Sequence, residues 1–236
     1  MAKRHASAKT GVRPAARPKI AAKGKRGVDL QKILRERIAR QEIAPGAKLG
    51  ENALAKAFGV PRAIVREALC ALEQRGLIER IPNRGAVVAR LDLSQVFAIY
   101  DTREVLEGLC ARLATQNVPP ESWQDLVEMF DGPMVEHVAR GDYEAFLAGY
   151  GLFRLRLLQA AANPVLSSML DSIYEKTQAV IRRIMILPGR AQVGLGEHRA
   201  VLAAMRRGDA EEAERLRRLN MRSAKACLER YQSFVL

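Results

Sequence analysis

Arg62 and Arg66 stand four residues apart in PRAIVREALCALEQRG, residues 61–76, and Arg84 precedes Gly85 in the PNRG that follows. A guanidinium carries a fixed charge and a planar fork of donors, suited to a phosphate or to the O6/N7 edge of guanine. On a helix a spacing of four puts both arginines on one face. They would lie near its N-terminus, where the helix dipole mildly disfavours cations. An anionic partner removes that penalty. Nucleic-acid binding is the chemistry this pattern suits, with Arg62, Arg66, Arg84, Gly85 and Arg35 as the candidate contacts.

The elements that must carry these side chains are legible around them. DLQKILRERIARQE predicts a helix capped by Asp29, with Leu30, Ile33, Leu34 and Ile38 on one stripe. APGAKL reads as a turn. ENALAKAFG reads as a short helix burying Leu54 and Phe58 and ending at Gly59. The arginine helix runs from about Pro61 to Arg75, with Gly76 just beyond its end and Val65, Leu69 and Leu72 on its buried face. LIERI and AVVARL read as two strands joined by PNRG. Three helices and a hairpin make a winged helix-turn-helix. In that arrangement the arginine helix enters the major groove and the hairpin tip reaches the neighbouring backbone or minor groove.

Charge follows the same division. Of the formal +13, residues 1–27 hold nine Lys/Arg and no Asp/Glu, and residues 28–95 hold twelve basic and eight acidic side chains. Residues 96–236 hold eighteen of each. One end of the chain is built for a polyanion and the other is electrically balanced. Residues 1–27 lack apolar residues to bury and read as a disordered basic arm, either tracking DNA or serving as a solubilising tail. Cys70, Cys110 and Cys227 are too scattered for a disulfide framework or a metal knuckle and read as buried thiols. No apolar run nears the ~20 residues of a membrane span, and no apolar segment follows the basic start. A cytoplasmic protein is expected. No nucleophile elbow, Gly-rich phosphate loop or zinc-protease motif occurs, so an enzyme is not.

Residues 92–236 read as helices throughout. Ser94 is a plausible cap for a first helix carrying Val96, Ile99, Tyr100, Leu106 and Leu109. PPESWQDLVEMF follows and is broken or kinked at Asp131-Gly132-Pro133. Four further helices are expected: DYEAFLAGYGLFRLRLLQAAANP, PVLSSMLDSIYEKTQAVIRRIMI, GEHRAVLAAMRRGD and AEEAERLRRLNMRSAKACLERYQ. The fold class is mainly α: a winged helix-turn-helix over 28–91 followed by an all-α bundle over 92–236.

The stretch from Leu34 to Val88 resembles the winged helix of GntR-type bacterial regulators. It carries their I-x-P-G-x-x-L turn, an L-A-x-x-x-G-V-x-R-x-x-V-R-E-A-L segment, the G-L-I strand and the N-R-G wing. Pro61 stands where that family usually has serine, and Asn52 where an arginine is common. The second half resembles the FCD effector domain of the FadR branch. The cues are R-x-x-L-E from Arg103 to Glu107, the segment ending at Asn163-Pro164, E-H-R-A-V-L-A-A-M with Glu197 and His198, and G-D-A-E-x-A from Gly208.

The resemblance implies a homodimeric regulator, most often a repressor, on a pseudo-palindromic operator in double-stranded DNA. An architectural DNA-binding protein without an effector is the alternative. Many members hold a divalent metal with an Asp and three His. Those positions fall here on Tyr150, Arg154, His198 and Asn220. An arginine cannot ligate a metal and tyrosine is a poor ligand at neutral pH, so no metal and no cofactor are expected. Arg154, one turn after Tyr150, would then stand in for the cation. It would bind a small carboxylate effector with Tyr150, His198 and Asn220, helped by Arg103. The competing reading pairs Arg154 with a protein carboxylate and leaves no ligand.

Overall fold

The computed structural model describes residues 25–235. The reading of residues 1–27 as a disordered basic arm lies outside them except at 25–27, which are helical and begin the first helix. Contacts divide the described chain into two compact units, one reaching Ile38 and resuming over 44–88, the other 89–235 with the short stretch 39–43.

In the first unit α1 (Lys25–Ala39), α2 (Glu51–Phe58) and α3 (Arg62–Gln74) precede a hairpin of β1 (Ile78–Ile81) and β2 (Gly85–Val88). Asp29 does not cap α1: the helix begins at Lys25, because nothing in KRGV forbids helix. Pro61 is the residue capping α3, where its missing N–H is no loss, and Val65, Ala68, Leu69 and Leu72 form the buried face. The chain leaves α3 through Gly76 at φ 67°, whose N–H donates to Glu73 O. The strands pair antiparallel with Ile78 opposite Val88 and Ile81 opposite Gly85. The second strand ends at Val88, three residues short of the expected stretch. Asn83 (φ 61°) and Gly85 (φ 82°) turn the tip, a backbone region that other residues enter only with strain. Gly46 N donates to Val88 O, Val88 N to Ala47 O and Leu49 N to Ala86 O, tying the loop before α2 to β2. Leu54 and Phe58 are half-buried rather than core, Phe58 lying under the Arg37 guanidinium at 5.3 Å.

The second unit is a helical bundle. α4 (Leu93–Asn117) is capped by Asp92, whose carboxylate accepts from Gln95 N while the Gln95 side chain accepts from Asp92 N. Ser94, the expected cap, lies inside the helix and donates its hydroxyl to Asp92. A 3₁₀ turn (Pro120–Trp123) leads to α5 (Gln124–Asp131). Gly132 and Pro133 end it and start a separate helix, α6 (Pro133–Arg140). There follow α7 (Tyr143–Ala161), α8 (Pro164–Met185), α9 (Arg190–Arg206), α10 (Ala210–Arg230) and the short α11 (Gln232–Val235). Asp142, Asn163 and Asp209 cap α7, α8 and α10. α9 starts at Arg190, well before the expected Gly196.

Trp123, Phe130, Phe146, Phe153, Leu202 and Met205 are fully buried at the centre. The buried stripe of α4 departs from expectation: Val96, Tyr100, Arg103, Glu107 and Cys110 point inward, while Leu106 and Leu109 are only partly covered. Of the cysteines only Cys110 is buried, and burial pushes its thiol up to about 12; Cys70 is exposed and Cys227 intermediate.

Candidate functional site

The first unit presents the arginines on the open side of α3. Arg62 and Arg66 leave 60% and 59% of their side chains exposed. One carboxylate faces both: Glu51 Oε2, at the start of α2, lies 3.6 Å from Arg62 Nη2 and 3.4 Å from Arg66 Nε. Arg84 and Gly85 are exposed at the hairpin tip. Arg35 is half-buried on α1, the least open of the five candidates. Burying Val65 and Leu69 on one face of α3 therefore holds the two guanidiniums outward on another, at the end of α3 that a recognition helix inserts into the major groove.

In the second unit charged side chains gather inside the bundle. Arg217, 0% exposed on α10, is the centre. Its Nε donates to Glu107 Oε2 at 3.1 Å and its Nη2 to the same oxygen. Nη2 also donates to the Tyr150 hydroxyl at 3.3 Å, and Nη1 to Asn220 Oδ1 at 2.7 Å. His198 Nδ1 lies 3.4 Å from Nη1. A guanidinium has only donors, so Nδ1 must accept and the imidazole proton sits on Nε2. Arg103, one turn before Glu107 on α4, donates to Glu107 Oε1 at 2.8 Å and to the Tyr150 hydroxyl at 3.3 Å. Glu107 is thus a carboxylate gripped from both sides. A second pair adjoins it: Arg190 donates to Glu197 at 2.9 Å and to Ser223 at 3.2 Å, and Asn220 Nδ2 donates to Glu197 at 2.6 Å.

The sequence reading placed Tyr150, His198, Asn220 and Arg103 together, and the bundle does bring them together. Arg154 is a correction. It turns to α8, bonds Asp171, and stacks on the Tyr174 ring at 4.1 Å. The position beside Tyr150, His198 and Asn220 belongs to Arg217. One helical turn separates Tyr150 from Arg154, but α8 offers Arg154 a carboxylate and an aromatic face first. Arg217, Glu107, Arg190, Glu197 and Tyr100 were missed. A signal existed: Arg217 and Asn220 fall on the stripe of α10 that also carries Ala213, Met221, Ala224 and Leu228.

These residues do not suit a divalent metal. Tyr150, His198 and Asn220 all aim their acceptor atoms at the Arg217 guanidinium, which fills the place such an ion would take and repels it. Among the described residues no three His, Cys, Asp or Glu gather as a ligand set.

Burial and then the Arg217 charge hold the His198 imidazole well below its ordinary value, so it stays neutral when folded. For Glu107 burial acts upward, but Arg217 and Arg103 outweigh it and bring the carboxyl down to about 2. Both folded values lie below the unfolded ones, so both groups bind fewer protons when folded and stability falls with acidification. The His198 contribution is lost as pH drops below about 6.5, the Glu107 contribution between about pH 4.5 and 2. Urea midpoints measured from pH 8 to 4 should decline from near pH 6.5, and His198→Gln should flatten the upper part of that decline. A midpoint independent of pH down to 5 in the parent protein would contradict the buried neutral imidazole.

Comparison with known proteins bears on both units. Residues 28–88 match the model of the bacterial regulatory proteins of the gntR family, and residues 98–223 that of the FCD domain. An uncharacterized HTH-type transcriptional regulator of Streptomyces ambofaciens is 42% identical over 34% of this chain and 34% of its own length. The HTH-type transcriptional repressor RspR of Escherichia coli is 36% identical over 38% of this chain and 39% of its own. The regulator McbR of Escherichia coli is 24% identical over 78% of this chain and 84% of its own. The solved McbR structure superposes with a TM-score of 0.73 at 22% identity, over 88% of this chain and 98% of that one, a likeness of fold. No described helix is long and apolar enough to cross a membrane. The chain therefore belongs to the GntR family of bacterial regulatory proteins, in the FadR-like branch that joins an N-terminal helix-turn-helix to a C-terminal FCD domain, and is a transcriptional regulator and not an enzyme.

Proposed function

We propose that this regulator is a cytoplasmic homodimeric repressor that reads a pseudo-palindromic operator through Arg62, Arg66, Arg84, Gly85 and Arg35. Residues 28–91 would form its DNA-binding domain and 92–236 its ligand-binding and dimerisation domain. The bundle answers a small organic anion and does so without a bound metal. The observation that carries this reading is the buried Arg217, on which Tyr150, His198 and Asn220 converge. A fixed guanidinium supplies the positive charge that a metal would bring, and a chelator cannot remove it. Tyr150, His198, Asn220 and Arg103 are the effector-facing set in this reading, with Arg217 taking the place first given to Arg154.

The test uses operator DNA selected from a random pool. Affinity for that DNA and its response to small carboxylates should be unchanged after exhaustive dialysis against EDTA. Elemental analysis should find no stoichiometric Zn, Ni or Mn. Sedimentation should give a dimer at micromolar concentration. Loss of the carboxylate response on chelation, restored by adding one divalent metal, would overturn the metal-free reading.

A further inference from the structure

A cavity of about 40 Å³ adjoins the buried charges, between α4, α7, α8, α9 and α10. Its polar end is made by Tyr100, Arg103, Arg190 and His198, and Ile181 and Met185 are among its apolar walls. Several polar atoms at this end have no protein partner among the described residues. Tyr100 is 3% exposed, and its ring carries the Arg103 guanidinium 5.1 Å away, but its hydroxyl makes no hydrogen bond. Arg103 uses Nε and Nη2 on Glu107 and Tyr150, leaving Nη1 unbonded. Arg190 uses Nη1 and Nη2 on Ser223 and Glu197, leaving Nε. His198 accepts at Nδ1 and so keeps a proton on Nε2. Donors that open onto a cavity in this way are met by ordered water or by a bound guest.

Charge and size specify the guest. Three guanidiniums, of Arg103, Arg190 and Arg217, face two carboxylates, of Glu107 and Glu197, with His198 neutral. One positive charge remains uncompensated. A water needs roughly 10–15 Å³ of such space, so the cavity holds about three or four non-hydrogen atoms. That is far below the ~300 Å³ or more of pockets for larger metabolites.

We propose that this cavity is a subsite for a planar monoanion of three or four non-hydrogen atoms, a one- or two-carbon carboxylate or an inorganic ion of the same shape, held by Tyr100, Arg103, Arg190 and His198. The proposal rests on the effector reading above and sharpens it. It excludes di- and tricarboxylates on both charge and volume. It also gives the Tyr100 hydroxyl a partner that no protein hydrogen bond supplies.

Titration calorimetry and thermal melts of the full chain at constant ionic strength in chloride test it, with acetate and nitrate as probes and succinate and citrate as comparators. Acetate should bind with one site per chain and raise the melting temperature in a saturable way, and chloride should not. Nitrate acting like acetate assigns the site to shape and charge alone; acetate acting without nitrate assigns it to carboxylates, and either result supports the subsite. Tyr100→Phe should weaken acetate about tenfold or more while leaving the unliganded melting temperature in place, since the hydroxyl has no protein partner to lose. Arg154→Ala should leave the acetate affinity unchanged. Stabilisation by citrate or succinate alone, unaffected by Tyr100→Phe, would overturn the subsite and leave the effector reading standing. Silence from every anion, with operator affinity also unmoved, would overturn both.

Discussion

Glu107→Gln should destabilise the C-terminal bundle by about 3–5 kcal/mol, more than any other single substitution near the cavity. The variant keeps the side-chain volume and removes only the charge. What remains is two buried guanidiniums, Arg103 and Arg217, facing each other with no carboxylate between them. Desolvation of ions is repaid inside a protein only by close opposite charge, so the loss is the cost of stranded cations and not the worth of two hydrogen bonds. Replacing all three residues together, as Arg103→Met, Glu107→Leu and Arg217→Leu, should recover most of that loss, because an apolar set of similar volume has nothing to desolvate. Urea titrations followed by the fluorescence of Trp123 measure this. It is the one tryptophan of the chain and is fully buried in the bundle, so the signal follows the second unit. If Glu107→Gln unfolded at the parent's midpoint, the central placement of this triad would be wrong. Anion binding should vanish in the triple variant even where folding returns, which separates the two uses of the same charges.

Arg66→Ala should weaken binding to a selected operator by about 1–3 kcal/mol, roughly five- to more than hundredfold, with little change in melting temperature. The side chain is mostly exposed, and its one partner among the described residues, Glu51, forms with it an ion pair of little stabilising value. Nothing in the core depends on it. Fluorescence anisotropy on the operator and on scrambled DNA of equal length distinguishes the roles. A base contact loses affinity mainly on the operator, whereas a phosphate contact loses it on both and lowers the salt slope by about one. Unchanged affinity on both DNAs would remove Arg66 from the recognition surface.

The winged unit was legible in the sequence because its signals are local. Gly59 and Gly76 stop helices, Asn83-Arg84-Gly85 turns a hairpin, and the apolar spacing of α3 names both its buried and its open face. Errors there were small: shifts at element ends, such as Lys25 in place of Asp29 and Val88 in place of Leu91, and Leu54 and Phe58 half-buried where core was expected. The bundle's helices were likewise legible, down to the break at Gly132-Pro133. Its interior was not. Whether Arg154 or Arg217 turns to Tyr150 depends on what α8 and α10 present across the bundle, and no spacing within α7 contains that. Glu107 and Arg217 are 110 positions apart yet share a charge, and each looks like an ordinary surface residue until its partner is known. Apolar patterning finds faces that exclude water, and it passes over charges that are buried because they are paired.

The carboxylate of Glu51 between Arg62 and Arg66 bears on how such a protein searches a genome. In the proposed reading, each guanidinium already has an anion 3.4–3.6 Å away before it meets DNA. Exchanging that carboxylate for a lone phosphate swaps one anion for another and gains little. Exchanging it for the two-acceptor edge of guanine gains a bidentate bond that Glu51, set off at this distance, does not make. The acid therefore subtracts from every encounter by about the same small amount, up to roughly 1 kcal/mol. On random sequence that is a large share of what the arginines contribute, and on the right sequence a small one. Residence on every site is shortened by the same factor, so the preference for the right sequence is kept while the time spent on each wrong one falls.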